Sequence, residues 1–211
     1  MKESPDRSQL PPGIPTGPLL IVISGSSGVG KDTVLARMRE LGSSLKFITT
    51  VTTRPQRPNE KNDIDYHFVS TERFQEMIKN KELLEWANVY GNWYGVPREA
   101  VKRSLDEGKD TIIKVDIQGA ATIKKILPQA IFIFLMPPSM EELLVRLKQR
   151  RTESPAELAL RLKTAEEEIK QLPLFDYAVT NRWDELDLAV ATINSIITAE
   201  KCRLTPRDIK L

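Results

Sequence analysis

The chain has 211 residues, 40% of them hydrophobic, which suits one α/β domain with small appendages and enough apolar side chains for a real core. A net charge of +2 excludes an extended polyanion-binding surface, and the basic residues cluster instead near Arg54 and Arg150, as local phosphate contacts require. A single cysteine, Cys202, excludes an internal disulfide framework; no apolar run approaches a membrane span, and the N-terminus lacks the apolar centre of a signal peptide, so a cytoplasmic protein without nucleic-acid or membrane partners is expected.

In chain order, residues 1–18 hold Pro5, Pro11, Pro12, Pro15 and Pro18 among polar residues and read as a disordered tail, because repeated proline defeats helix and sheet alike. Residues 19–23 are a β-branched apolar run, hence a buried strand, and a helical pattern starts at Thr33. Residues 46–53 alternate and read as one strand; 65–69 is a second short strand, and Ser70 can cap a helix to about 79. Residues 83–90 form a strand broken at Gly91 and Gly95, and Pro97 can open a helix to about 107. Strands follow at 110–115 and 130–136, the second the most apolar run of the chain, with a helix over 120–126 between them. Ser139 caps a helix running into Arg146, Arg150 and Arg151; residues 156–171 form a charged helix, 177–179 a last strand and 183–201 a closing helix. This alternation implies an α/β fold with a parallel sheet flanked by helices and right-handed crossovers. The stretch 51–97 has little helix between its strands and reads as a separate lobe.

The chemistry concentrates between the first strand and first helix. Gly25-Ser26-Ser27-Gly28-Val29-Gly30-Lys31-Asp32-Thr33 is a phosphate-binding loop: its glycines let backbone N–H groups curl around a phosphate, the helix N-terminus adds its dipole and Lys31 a mobile cation. An ordinary glycine-rich turn is the alternative, and strand, glycines, lysine and helix standing in order argue against it. The position after Lys31 departs from the pattern: Asp32 stands where Ser or Thr would meet Mg²⁺.

Three further segments, Thr50-Val51-Thr52-Thr53-Arg54-Pro55-Gln56-Arg57-Pro58-Asn59-Glu60 with Asp65-Tyr66-His67-Phe68, Glu85-Trp86-Ala87 with Gly91-Asn92-Trp93-Tyr94-Gly95, and Asp116-Ile117-Gln118-Gly119-Ala120, stand after the loop in the order of the guanylate kinase family, which the chain resembles from about Leu19 to Lys201. The resemblance implies a P-loop NTPase-type parallel sheet, a small mixed-β GMP-binding lobe and a helical lid. It divides the chain into a core over 19–50, 98–142 and 172–211, the lobe over 51–97 and the lid over 143–171. It implies transfer of a phosphoryl group from ATP to GMP, giving ADP and GDP, with Mg²⁺. A non-catalytic binding module of the same fold and a kinase for a phosphorylated sugar are the alternatives; the intact loop argues against the first, Glu85 with Asp116 against the second.

The residue chemistry agrees with these roles. Arg54 and Arg57 flank a proline turn and can converge on one phosphate, with Tyr66 and Tyr94 as hydroxyl donors. Glu85 and Asp116 can accept from the N1–H and N2–H₂ donors of guanine, and Thr50 can donate to O6. Glu85 lies in an apolar strand, where an unpaired charge is costly unless it meets a ligand. By resemblance Arg146, Arg150 and Arg161 lie on the lid over ATP, Asn181 lies near its adenine, and Lys31, Arg54, Arg150 and Arg161 serve the transferring phosphoryl group. Residues 25–33 hold the ATP phosphates, and Asp32 is the candidate metal ligand. Solvated basic loops and helices are the bland alternative for the arginines, strand packing for the tyrosines and capping for Asp116. His67 faces solvent without a role, and Trp86 and Trp93 pack the lobe. Lys114 stands where the family carries an acidic residue, Val96 for a hydroxyl residue and Arg151 for a lid glycine; these departures bear on metal handling and lid geometry. The sequence leaves monomer and dimer both open.

Overall fold

The computed structural model describes residues 17–58, 60–149 and 155–211. The proline-rich tail up to residue 16, Asn59, Arg150 and Arg151 therefore lie outside the described residues.

The first strand, β1 (Leu20–Gly25), is buried along its whole length because the sheet is covered on both faces. Ile21 and Ile23 pack with Val34 and Met38 of α1 (Lys31–Glu40), while Leu20 and Val22 face the opposite layer. The chain continues through β2 (Lys46–Phe47), β3 (Thr50–Thr52), β4 (Tyr66–Phe68), α2 (Thr71–Lys79), β5 (Leu83–Val89), β6 (Asn92–Pro97) and α3 (Arg98–Asp106). It then runs through β7 (Thr111–Lys114), α4 (Ile117–Ile126), β8 (Ile131–Met136), α5 (Met140–Gln149), α6 (Pro155–Ile169), β9 (Tyr177–Thr180) and α7 (Leu186–Lys201). The main sheet is parallel throughout, in the order β2-β7-β1-β8-β9. Val101 of α3 and Ile123 of α4 close one face, and Val190 and Ile193 of α7 the other. This is the α/β layering expected from the alternation.

The second sheet, β4-β3-β6-β5, is mixed: β3 pairs parallel with β4 and antiparallel with β6. Its small core is Val51, Phe74, Met77 and Leu83, with Trp93 stacked on Phe74 at 6.1 Å between ring centres. Trp86 sits edge-on against Trp93 and stays 45% exposed, so only the second of the two tryptophans packs this lobe.

Several boundaries differ from the sequence reading. Residues 46–53 are two strands, not one: Ile48 N–H still donates to Ile112 of the main sheet, and the chain then crosses to the second sheet. Thr50 thus pairs with Tyr66 in the second sheet. Residues 92–97 form a full strand hairpinned to β5. α1 begins at Lys31, and α4 begins at Ile117 because Asp116 caps it, its Oδ1 accepting from the Gly119 N–H at 2.8 Å. α7 starts at Leu186, leaving Trp183 in the preceding loop. Among the described residues no helix is long and apolar enough to cross a membrane.

Candidate active site

One cleft runs between the two sheets. Gly25, Ser27, Gly28, Gly30, Lys31 and Asp32 line one end; Thr50, Arg54, Arg57, Tyr66, Glu85, Tyr94 and Asp116 line the other. The sequence-predicted loop and acceptor residues thus meet in one place, carried there by β1, β3, β5, β6 and the end of β7.

The loop is built by close approach. A Cβ on Gly25 would stand 2.3 Å from the Leu135 carbonyl of β8, so only glycine lets β1 turn there. The Lys31 ammonium donates to the carbonyls of Gly25 (2.5 Å) and Ser26 (3.3 Å), folded back over its own loop. Burial pulls its pKa below the ordinary lysine range, opposed by Glu168 and Asp32. Val29 and Ser26 are buried, and Thr33, one residue beyond Asp32, is exposed.

Arg146 sits against the loop. It is 7% exposed and donates to the carbonyls of Val29 (2.9 Å) and Asn181 (2.7 Å), besides pairing with Glu142. It braces the loop, and Leu143 and Leu147 of α5 lie beside Gly28. Leu143 and Leu147 form one small apolar cluster with Ala165 of α6. Asn181 is buried beside Arg146 and donates its amide to the same Val29 carbonyl at 2.8 Å.

At the acceptor end Glu85 is 5% exposed, and its Oε2 has no hydrogen-bond partner. Burial, with Asp116 nearby, pushes its carboxyl up to about 8. Asp116 is raised too, chiefly by burial, against the Gly119 N–H and Lys31. Gly119 keeps this corner open: a Cβ there would lie 2.5 Å from Glu85 Oε2. Thr50 lies beside the end of β7. Its hydroxyl donates to the Lys114 carbonyl at 3.2 Å, so what it turns to a ligand while that bond stands is an acceptor.

Arg54 is fixed before any phosphate arrives. Its Nη2 reaches both oxygens of Glu60 at 2.7 and 2.9 Å, and its guanidinium lies 5.4 Å from the Tyr66 ring centre. Arg57 gives its backbone N–H to Glu60 at 2.9 Å and keeps half its side chain exposed. Tyr66 is buried and meets Tyr94 edge to face at 6.0 Å. His67 pairs with Asp63 at 2.7 Å at the lobe's surface.

The two departures meet. The Lys114 ammonium is bonded to the Asp32 carboxylate and sits 3.9 Å from the Tyr66 ring centre. Burial works against the charge of Lys114, but Asp32 and Tyr66 outweigh it, and its pKa stands raised. Val96 is buried under the sheet, in the apolar layer with Val101 and Ile113.

α6 contributes Arg161, which donates to Ser27 Oγ at 3.1 Å and lies 4.8 Å from the Tyr90 ring centre across the cleft. It also contributes Glu168, to which the sequence reading gave no role within its charged helix. Its Oε2 accepts from the Ser27 N–H at 3.2 Å, a carboxylate in the anion-binding loop. The signal was spacing: 161, 165 and 168 share one helix face, and the middle residue is the wholly buried Ala165. Glu60 ends the first signature segment with no role assigned to it, and only the fold turns it between Arg54 and Arg57.

The guanylate kinase family model matches residues 18–200, nearly the whole chain beyond the tail. The chain belongs to the guanylate kinase family. It is 46% identical over 186 residues to guanylate kinase of Caldanaerobacter subterraneus subsp. tengcongensis, covering 88% of this chain and 89% of that protein. It is 45% identical over 198 residues to the chloroplastic/mitochondrial guanylate kinase 2 of rice, Oryza sativa subsp. japonica, covering 93% and 70%. The crystal structure of guanylate kinase from Anaplasma phagocytophilum superposes with a TM-score of 0.73 at 33% identity, over 89% of this chain and 88% of that one. The enzyme is accordingly a nucleoside monophosphate kinase, an ATP:GMP phosphotransferase.

Proposed function

We propose that Glu85 and Asp116 read the guanine of GMP, that Arg54, Arg57, Tyr66 and Tyr94 hold its phosphate, and that residues 25–33 hold the phosphates of ATP. The observation that carries this reading is Glu85 Oε2, a buried carboxylate oxygen without a partner in the cleft that also contains the loop. Such an orphan acceptor costs about 1–3 kcal/mol or more. Guanine offsets that cost with the donors N1–H and N2–H₂ on one edge, whereas adenine has no such pair.

Transfer needs no side-chain base, because the attacking group is already a phosphate oxygen of GMP. A bond forms from that oxygen to the γ-phosphorus, the bond to the bridging oxygen of ADP breaks, and the displaced negative charge stays on ADP. The protein's part is alignment and charge neutralisation. Lys31 and Arg161 serve the phosphoryl group in flight, Arg54 holds the acceptor, and Arg150, outside the described residues, completes the set by resemblance.

Among the described residues no cluster of three or more His, Cys, Asp or Glu is placed to hold a metal ion. Magnesium does not need one, since it keeps waters and binds through one or two carboxylates plus substrate phosphates. Asp32, an exposed hard oxygen donor beside Lys31, would hold it directly or through water, with Thr33 in reserve. When bound, the ion neutralises charge on the ATP phosphates. In this reading Lys114 answers the carboxylate that Asp32 brings to the loop. The enzyme works in the cytoplasm on these nucleotides alone, with no nucleic-acid or membrane partner.

The test is ADP release with GMP, dGMP, AMP and a pentose phosphate as acceptors. GMP should turn over fastest and dGMP more weakly, with AMP lower by roughly 10⁴-fold, since a site of unpaired acceptors rejects a substrate lacking the donors. Equal turnover of AMP and GMP would sink the reading.

A further inference from the structure

Lys114 ends β7 opposite Ile23, just before the loop opens at Gly25, and its carbonyl accepts from Thr50, which pairs with Tyr66 in the second sheet. The residue is thus a joint between the phosphate loop and the acceptor side of the cleft. Its side chain lines that cleft, is 12% exposed, and places the ammonium 3.9 Å from the Tyr66 ring centre. Arg54 stands 5.4 Å from the same ring, so Tyr66 has two cations beside it. Each is paired with a carboxylate, and the two carboxylates come from different places. Glu60, which clamps Arg54, lies on the acceptor side, between β3 and β4. Asp32, which holds Lys114, belongs to the phosphate loop and is 62% exposed. The clamp on Arg54 is therefore remote from a donor nucleotide, whereas the clamp on Lys114 stands where the donor's phosphates arrive. An exposed carboxylate turns to a new cation at little cost. The buried ammonium cannot follow it into water, and once left alone it needs another anion.

We propose that Lys114 is a ligand of the acceptor phosphate under the control of the donor: Asp32 holds its ammonium back in the empty enzyme and, on turning to the donor's metal-bearing phosphates, releases it to the phosphate beside Tyr66 and Arg54. This rests on the reading that Tyr66 and Arg54 hold the phosphate of GMP and that Asp32 faces the metal. A lysine suits such an exchange, being a compact charge with three donors on a flexible stem. Lys114 makes and breaks no covalent bond. It brings a positive charge to the acceptor phosphate only when the donor is in place, which is when two anionic nucleotides must be held together against their own repulsion. Each nucleotide then tightens the other by one and the same factor, since coupling between two binding sites is reciprocal.

The experiment is calorimetry of GMP, and of guanosine, which has the base but no phosphate, binding to the full chain and to its Asp32→Ser, Lys114→Met and Lys114→Arg variants. With EDTA and no donor, Asp32→Ser should bind GMP roughly tenfold more tightly than wild type, a coupling of ordinary size between two sites. Guanosine should bind both alike, and adding Lys114→Met to Asp32→Ser should abolish the gain. With Mg²⁺ and an inert ATP analogue, GMP should tighten roughly tenfold in wild type, nearly as much in Lys114→Arg, which keeps a cation, and less than about threefold in Lys114→Met. Unchanged or weaker GMP binding in a folded Asp32→Ser overturns the proposal. So does a parallel shift for guanosine, which would mean that the pair only shapes the site. Should Asp32→Ser fail to fold, the donor arm decides alone, and equal tightening in wild type and Lys114→Met overturns the proposal. A gain in Asp32→Ser with no tightening by the donor in wild type overturns the reading of Asp32 as facing the metal, and with it the donor's control of Lys114. Wild-type protein that binds guanosine as tightly as GMP overturns the reading of Tyr66 and Arg54 as the phosphate site, and this proposal with it.

Discussion

Glu85 makes ligand binding and stability oppose each other at a single residue. A carboxyl whose pKa is raised by folding destabilises the folded state once it must ionise. Stability from this group is thus intact below the ordinary glutamate value of about 4.3 and falls as pH climbs towards about 8. Glu85→Gln, which cannot ionise, should melt higher than wild type at pH 8.5 and close to it at pH 4, as differential scanning calorimetry would register. Guanine's donors reverse the preference, because they bond the ionised form. GMP should therefore bind with release of a proton near pH 7 and roughly five- to tenfold more tightly at pH 8.5 than at pH 7, a window above the phosphate's own titration near 6. Calorimetry in buffers of different ionisation enthalpy measures both; a flat profile would show that Glu85 stays neutral in the complex. Asp32 and Lys114 couple in another way. Asp32→Ser leaves a largely buried ammonium unpaired, and Lys114→Asp sets two carboxylates together. Each should lower the melting temperature and weaken turnover titrated against Mg²⁺, while the double variant recovers much of both. Additive losses would mean that the pair does not act as a unit. The anomaly of each was legible in the sequence one by one, by departure from the family pattern. Their contact was not, since 82 residues separate them and only the β1–β7 pairing brings them together.

At the scale of elements, α6 turns two residues of opposite charge onto one, with Arg161 on the hydroxyl of Ser27 and Glu168 on its backbone N–H. Burial raises the Glu168 carboxyl, opposed by Lys31 and the Ser27 N–H. A carboxylate in this position competes with phosphate oxygens for the same donor. Glu168→Gln should therefore tighten ATP several-fold, measured by calorimetry, and a weaker ATP complex would mean that Glu168 assists binding. Arg161→Ala should lower kcat by roughly 10² or more, given what arginines supply to phosphoryl transfer; rapid kinetics at saturating nucleotides would detect it, and a normal kcat would remove Arg161 from the chemistry. α5 shows the limit of sequence reading on helices. In sequence Arg146 reads as part of a cationic arm, but Leu143 and Leu147 on either side of it lie against Gly28 of the loop. Charge along a helix is visible in sequence; which stripe the neighbouring loop occupies is not.

At the scale of the molecule, the cationic arms do not confront one another bare. Like charges on Arg54, Arg57 and Arg161 would by themselves hold the second sheet and α6 apart. Glu60 stands between the first two, Glu168 stands beside the loop, and Arg161 reaches Tyr90 of the lobe. The carboxylates screen the repulsion, so removing both, as Glu60→Gln with Glu168→Gln, should enlarge the radius of gyration of the nucleotide-free enzyme in small-angle scattering. Salt or GMP with an inert ATP analogue should reverse the expansion; no change at low salt would show that packing, not charge, sets the separation. The sequence by itself determined the α/β alternation, the phosphate-loop pattern and the residues proposed to hold the acceptor. Those rest on local rules: apolar runs, glycine and proline positions, and residue types at fixed spacing along the chain. Only the tertiary structure decided that residues 46–53 divide between two sheets, that Arg146 is a brace, and that Glu60, Glu168 and Lys114 stand where they do. A side chain's partner depends on which distant strands and helices pack beside it, and that is settled by burying both faces of the sheet together rather than by any one segment's own pattern.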